Sequence, residues 1–160
     1  MQSYEQYKEK LNASYRAIVI AYMKAIEHSY DDREISAQGL FEMAKSRGLT
    51  DRDSMSANWL RNRVYHVDRY RSFPKWIAQA AYYCLLTVKG WQPKNGIERF
   101  GMAAFYIKEN GSALPQFDDL LQDLPSFLDD EEGHSTIREC IDSIHSIHDY
   151  RASNRPSELE

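Results

Sequence analysis

The chain has 160 residues, 42% of them hydrophobic, with 11 Tyr, 6 Phe and 3 Trp. That is enough for one domain with its own core, and too apolar for general disorder. The formal charge is −4, yet Lys45 to Lys75 carries +5 and Glu109 to Glu160 carries −10, so the middle and the C-terminal third should meet different partners.

Only 7 Gly and 5 Pro are present, and few runs alternate apolar with polar residues, which favours helices over a sheet. The expectation is an all-α, single-domain bundle of about six to seven helices over residues 1–152, with 153–160 a frayed tail. The first candidate helix spans about Ser3 to Tyr30. Its apolar seam, Tyr4, Leu11, Tyr15, Ile18, Tyr22 and Ala25, follows a near-heptad spacing. Such a seam packs on its own domain or, because it is long, pairs two chains as a homodimer through residues 4–25.

"SYDDRE" interrupts the pattern, and Ser36 is positioned to cap a second helix, "SAQGLFEMAKSRG", ending at Gly48. A third helix is expected from Ser54 to Arg69, closed by "RSFP". The fourth, Pro74 to Lys89, is apolar on nearly every side and belongs at the centre of the fold. Its run "WIAQAAYYCLLTV" is too short to span a bilayer. A fifth, Gly96 to Lys108, should bury Ile97, Phe100, Ala104 and Ile107. A short helix at Phe117 to Gln122 and an acidic loop come next. The last helix, "STIRECIDSIHSIHDYRA", carries Ile137, Ile141, Ile144 and His148 along one stripe, with Cys140 beside it. No secretory signal opens the sequence, and Cys84 and Cys140 lie in helical apolar patterns without metal-type spacing. A soluble, cytoplasmic protein with reduced core thiols, no cofactor, no metal and no membrane contact is therefore expected.

The third helix concentrates the chemistry. "SANWLRNRVYHVDRYR", Ser56 to Arg71, holds four arginines, two asparagines and a histidine. At 100° per residue, Ser54, Arg61, Asn62, Tyr65 and Arg69 fall within roughly 60° of Asn58, while Ala57, Leu60, Val64 and Val67 occupy the opposite side. Arg reads guanine, Asn reads adenine, and Ser and Tyr reach backbone oxygens, so that face suits double-stranded DNA. An ordinary solvated face on a helical bundle has the same pattern.

The segment "EISAQGLFEMAKSRGLTDRDSMSANWLRNRV", Glu34 to Val64, resembles a helix-turn-helix. Ile35 and Ser36 open the first helix, Ala44 sits where the two helices cross, Gly48 makes the turn, and "NWLRNRV" resembles a recognition helix. "LTDRDSMS" is a residue or two longer than the usual turn. The resemblance implies that Asn58, Arg61 and Asn62 lie nearest the bases while Lys45, Arg47, Arg52 and Arg69 neutralise phosphates.

The same letters hold a second pattern. "RNRVYH", Arg61 to His66, resembles the Arg-Asn-x-x-x-His motif of HEPN-domain ribonucleases, which are all-helical and usually dimeric. That resemblance implies metal-independent RNA cleavage, with His66 as general acid/base, Arg61 stabilising the phosphorane and Asn62 orienting the pair. Arg and His five apart diverge by about 140° on one helix, so a shared site needs a helix start or a symmetry mate.

Other constellations are weaker. "HSIHD" would need a third ligand, such as His134 or an acid of "DDEE", to hold a metal, and His148 reads better as a core or interface histidine. Asp118, Asp119 and Asp123 read as a solvated helix face. The acidic segment 118–132 offers a surface for a protein partner, as an inhibitor that mimics nucleic acid would use. No phosphate-binding glycine loop and no serine or cysteine nucleophile motif is present.

Overall fold

A computed structural model describes residues 4–30, 33–66 and 72–153. Among them are six α-helices, two short 3-10 turns and no strand. The helices are α1 (Tyr4–Tyr30), α2 (Arg33–Ser46), α3 (Ala57–Tyr65), α4 (Lys75–Thr87), α5 (Gly96–Asn110) and α6 (Glu131–Ser153). The 3-10 turns, Phe117–Leu120 and Ser126–Leu128, lie between α5 and α6.

α4 is the axis of the fold. Pro74, at φ −60° and ψ 120°, leads into it, and Ile77, Ala78 and every residue from Ala80 to Leu85 are buried. A helix without a polar face must be covered on all sides, and α1, α2 and α5 cover it. The α1 seam from Leu11 to Tyr22 faces its own chain. Ile18, Val19, Tyr22 and Met23 are buried, Tyr15 stacks on Phe105 of α5 at 5.0 Å, and Tyr7 meets Phe100 edge-on at 6.0 Å. Asn12 of α1 accepts the Phe73 backbone N–H and so anchors the strap entering α4.

α2 ends in a Schellman motif: the Leu49 N–H donates to the Ala44 carbonyl at 2.8 Å and the Gly48 N–H to that of Lys45 at 3.1 Å. Gly48 adopts φ +68°, a conformation that costs any residue with a Cβ. The other end of α2 differs from the expectation. Ser36 does not cap it; the helix begins at Arg33 and Ser36 is buried within it. Burial of that face overrode the preference of serine for helix starts.

α5 starts from an Asn95 cap, whose side chain accepts the Glu98 N–H at 2.9 Å, and Glu98 in turn accepts the Lys94 N–H at 3.1 Å. Phe100 and Ile107 are buried as expected, joined by Met102, Ala103, Phe105 and Tyr106. Ile97 is not: it is 47% exposed. Ala104 is only half-buried.

The segment after α5 is shorter in helix and better tied than expected. Phe117–Leu120 is a 3-10 turn rather than a helix to Gln122, and the Tyr106 hydroxyl donates to the Leu120 carbonyl at 2.7 Å. His145 Nε2 meets the Pro115 carbonyl at 2.8 Å; since a carbonyl only accepts, that nitrogen carries the proton. α6 begins four residues earlier than expected, inside the acidic run, because Asp130 Oδ1 accepts the Gly133 N–H at 2.7 Å. Ile137, Cys140 and Ile141 are buried against α5 and the turns, and Ile144 is half-buried. His148 falls off this stripe: its side chain is exposed and lies 3.7 Å from Asp149. Lys10 of α1 pairs with Glu139 of α6.

Two measurements check this packing. A Cβ on Gly133 would lie 2.2 Å from the Leu128 carbonyl oxygen, whereas one on Gly96 meets nothing within 4 Å. Gly133→Ala is expected to lower the urea-unfolding free energy by about 1–3 kcal/mol, and Gly96→Ala to be neutral or stabilising by up to about 1 kcal/mol. Burial also pushes the Cys84 thiol from 9.0 up to about 11 and raises Cys140, Tyr7 and Tyr82 as well. A neutral acid whose pKa rises on folding stabilises the fold below its unfolded pKa and loses that contribution as pH climbs through the folded value. The melting temperature should therefore fall between about pH 9 and pH 11 in a thermal-unfolding series.

Candidate nucleic-acid interface

The residues expected to touch nucleic acid sit on and around α3. Ser56, at φ −87° and ψ 158°, caps the helix by accepting the Trp59 N–H at 3.1 Å. α3 therefore runs over nine residues, Ala57–Tyr65, instead of Ser54 to Arg69. Ser54 lies in the preceding connection, outside the helix whose face it was expected to share. Three serines or threonines in "TDRDSMS" can each cap a helix, and burial of Met55 and Ala57 selects the last. At the other end His66 is the C-cap, and its backbone N–H donates to the Asn62 carbonyl at 3.2 Å. Arg69 and Val67 lie outside the described residues.

Within the nine residues the two expected faces are present. Ala57, Leu60 and Val64 are buried, while Asn58, Asn62 and Tyr65 are exposed and Arg61 is half-exposed. α3 packs on α2 and more lightly on α1, which leaves it at the rim of the bundle with its polar side outward. Arg61 is not idle there. Its Nη1 lies 3.8 Å from Glu27 Oε1 of α1, and its guanidinium stands 5.4 Å from the Tyr65 ring centroid. Both partners of that ion pair are about one-third exposed, so it contributes little.

A cluster that the sequence reading passed over lies at the edge of this face. Trp59 stacks on Trp76 of α4 with centroids 6.2 Å apart and planes 21° from parallel. Arg52 stands 4.2 Å from the Trp59 ring and Arg63 stands 5.2 Å from it. Arg52 Nε also donates to the Ser54 carbonyl at 3.4 Å. Cation–π contacts of this kind contribute about 0.5–1 kcal/mol each at exposed sites. The spacing of Trp59 and Arg63, four residues apart on one helix, was a readable signal; the arrival of Trp76 and Arg52 was not, since it needs the fold.

The remaining expected cations belong to other elements. Arg47 lies over the Tyr83 ring of α4 at 3.7 Å, and Lys45 over Phe41 of its own helix at 5.9 Å. α2 and α3 are joined by the ten residues Arg47–Ser56, several more than a helix-turn-helix turn uses. The angle of α3 is thus set by Leu60, Val64 and the tryptophan stack rather than by a tight turn.

The acids of segment 118–132 are partly engaged within the chain. Asp129 meets His134 at 3.0 Å, Glu132 meets Arg99 at 2.9 Å, and Asp130 caps α6. Among the described residues no group of three or more His, Cys, Asp and Glu side chains is arranged to hold a metal ion, and no helix is long and apolar enough to cross a membrane. No protein-family model, no curated protein and no solved structure matches the chain.

The cap gives a direct check on where α3 begins. Ser56→Ala should cost about 1 kcal/mol in chemical denaturation, and Ser54→Ala less than about 0.5 kcal/mol.

Proposed function

We propose that this chain binds double-stranded DNA through the outer face of α3. The observation that carries the reading is the division of that helix, which buries Ala57, Leu60 and Val64 and turns Asn58, Arg61, Asn62 and Tyr65 outward from the rim of the bundle. Asparagine presents paired donor and acceptor groups to adenine, and arginine presents two donors to guanine. Nine helical residues make a rod about 13 Å long, comparable with a major groove about 12 Å wide. Arg52 and Arg63, both against the Trp59 ring, border the face along one edge, so phosphates on that side of a groove would meet positive charge.

This reading does not need the helix-turn-helix resemblance to be complete. The long connection frees α3 from the usual crossing, and contact with DNA depends on exposure and charge rather than on the angle between α2 and α3. Binding by a chain of net charge −4 must be local, which makes it sensitive to salt. The ribonuclease reading lacks comparable support: Arg61 leans on Glu27 and Tyr65, and His66 is placed as the helix C-cap.

Fluorescence anisotropy with duplex DNA at two salt concentrations, in EDTA, is the test. Asn58→Ala and Arg61→Ala should each reduce sequence discrimination by about 1–3 kcal/mol. Lys45→Ala should weaken all sequences alike and lower the slope of log affinity against log salt by about one. Absence of salt-dependent duplex binding would overturn the reading, and RNA cleavage lost in His66→Ala would replace it with a nuclease.

A further inference from the structure

A cavity of about 470 Å³ opens between one turn of α1 and the segment that leads into α5. Ile20, Ala21 and Lys24 line one side, and Trp91, Lys94 and Glu98 line the other. That volume falls within the roughly 300–1,000 Å³ of small-ligand clefts. No residue of α3 lines it, so the site is separate from the nucleic-acid face.

The segment 88–95 builds the second side. The Trp91 N–H donates to the Val88 carbonyl at 3.1 Å around Gly90, whose φ of +76° lets the chain turn there after α4. Trp91 is half-buried and meets Phe127 edge-on at 5.5 Å, which fixes its ring at the cavity. Glu98 is only 9% exposed. Its Oε1 accepts the Lys94 N–H at 3.1 Å, whereas Oε2 makes no hydrogen bond among the described residues. Lys24 and Lys94 are exposed, and neither forms an ion pair among the described residues.

A carboxylate nearly sealed from water needs donors, and unpaired ammonium groups at a rim attract an anion. One ligand meets both demands when a flat ring with N–H donors carries an anionic group. A nucleobase brings the ring and the donors, and a 5′-phosphate brings the charge. The Trp91 indole and the aliphatic Ile20 and Ala21 supply the apolar surface on which such a ring rests.

We propose that this cavity binds a nucleoside monophosphate, with the base against Trp91, a base N–H donating to Glu98, and the phosphate held by Lys24 and Lys94.

The test is calorimetric titration of the full chain with guanosine 5′-monophosphate, guanosine, ribose 5-phosphate and L-tryptophan. The nucleotide should bind about tenfold or more tightly than guanosine or ribose 5-phosphate, because each of these lacks one half of the recognition. Lys24→Met and Lys94→Met should each weaken the nucleotide about tenfold and leave guanosine unchanged. Glu98→Gln puts an amide donor beside the base and should weaken nucleotide and guanosine alike. Lys8→Met, toward the other end of α1, should change neither. Circular dichroism checks that each variant is folded, and the two lysine variants, at exposed positions, decide the matter if Glu98→Gln does not fold. No nucleotide binding, or equal affinity for the nucleotide and ribose 5-phosphate, would overturn the proposal. Nucleotide affinity unchanged in both lysine variants would place the ligand elsewhere and overturn it too, and L-tryptophan bound in preference to the nucleotide would overturn the ligand class.

Discussion

The burial of α4 governs the rest of the structure. Eight of its thirteen residues are sealed from water, and a helix that is apolar around its circumference is stable only when other elements enclose it. Each large apolar side chain buried there contributes about 1.5–3 kcal/mol relative to exposure, whereas Ala78, Ala80 and Ala81 let neighbouring helices approach closely. α1, α2 and α5 take up the three sides, and α6 then closes over α5. The positions of the outer helices follow from the need to cover this one.

α3 is the exception, and its position explains why it carries the candidate site. It does not reach the axis in strength; it rests on α2 through Leu60 and Val64 and touches α4 through the Trp59–Trp76 stack. A short helix held on one side only keeps its opposite side in water, so polar residues there cost nothing to the fold and are available to a ligand. Most of the cations around it rest on aromatic rings, Arg52 and Arg63 on Trp59 and Arg47 on Tyr83, while Arg61 stands near Tyr65 and pairs with Glu27. A guanidinium resting on a ring keeps most of its donors free for an incoming oxygen acceptor, which an arginine locked to a carboxylate does not.

Helix order, the central place of α4 and the two-faced character of α3 were legible in the sequence, because each rests on periodicity that survives any tertiary arrangement. Boundaries were less legible. "TDRDSMS" offers several capping residues, and only packing of Met55 and Ala57 decides for Ser56. Ile97 and His148 show the same limit from the other side. Both sit on helical stripes that look buried, yet Ile97 is 47% exposed and His148 stands in solvent beside Asp149. The acidic run before α6 was expected as loop, yet α6 begins inside it, and the close approach of the Leu128 backbone is what requires a glycine at Gly133.

By itself, then, the sequence determined an all-helical chain, its strongest core helix and a helix with one basic, amide-rich face, since hydrophobic period and residue type are local properties. The tertiary structure alone decided that Arg52, Arg63 and Trp76 converge on Trp59, that Arg47 leans on Tyr83, and that Tyr83 and Gln79 of α4 meet Glu109 of α5. Those residues are separated by up to dozens of positions in the chain. Their meeting depends on which faces the helices turn toward one another, a property of the closed core that no local pattern records.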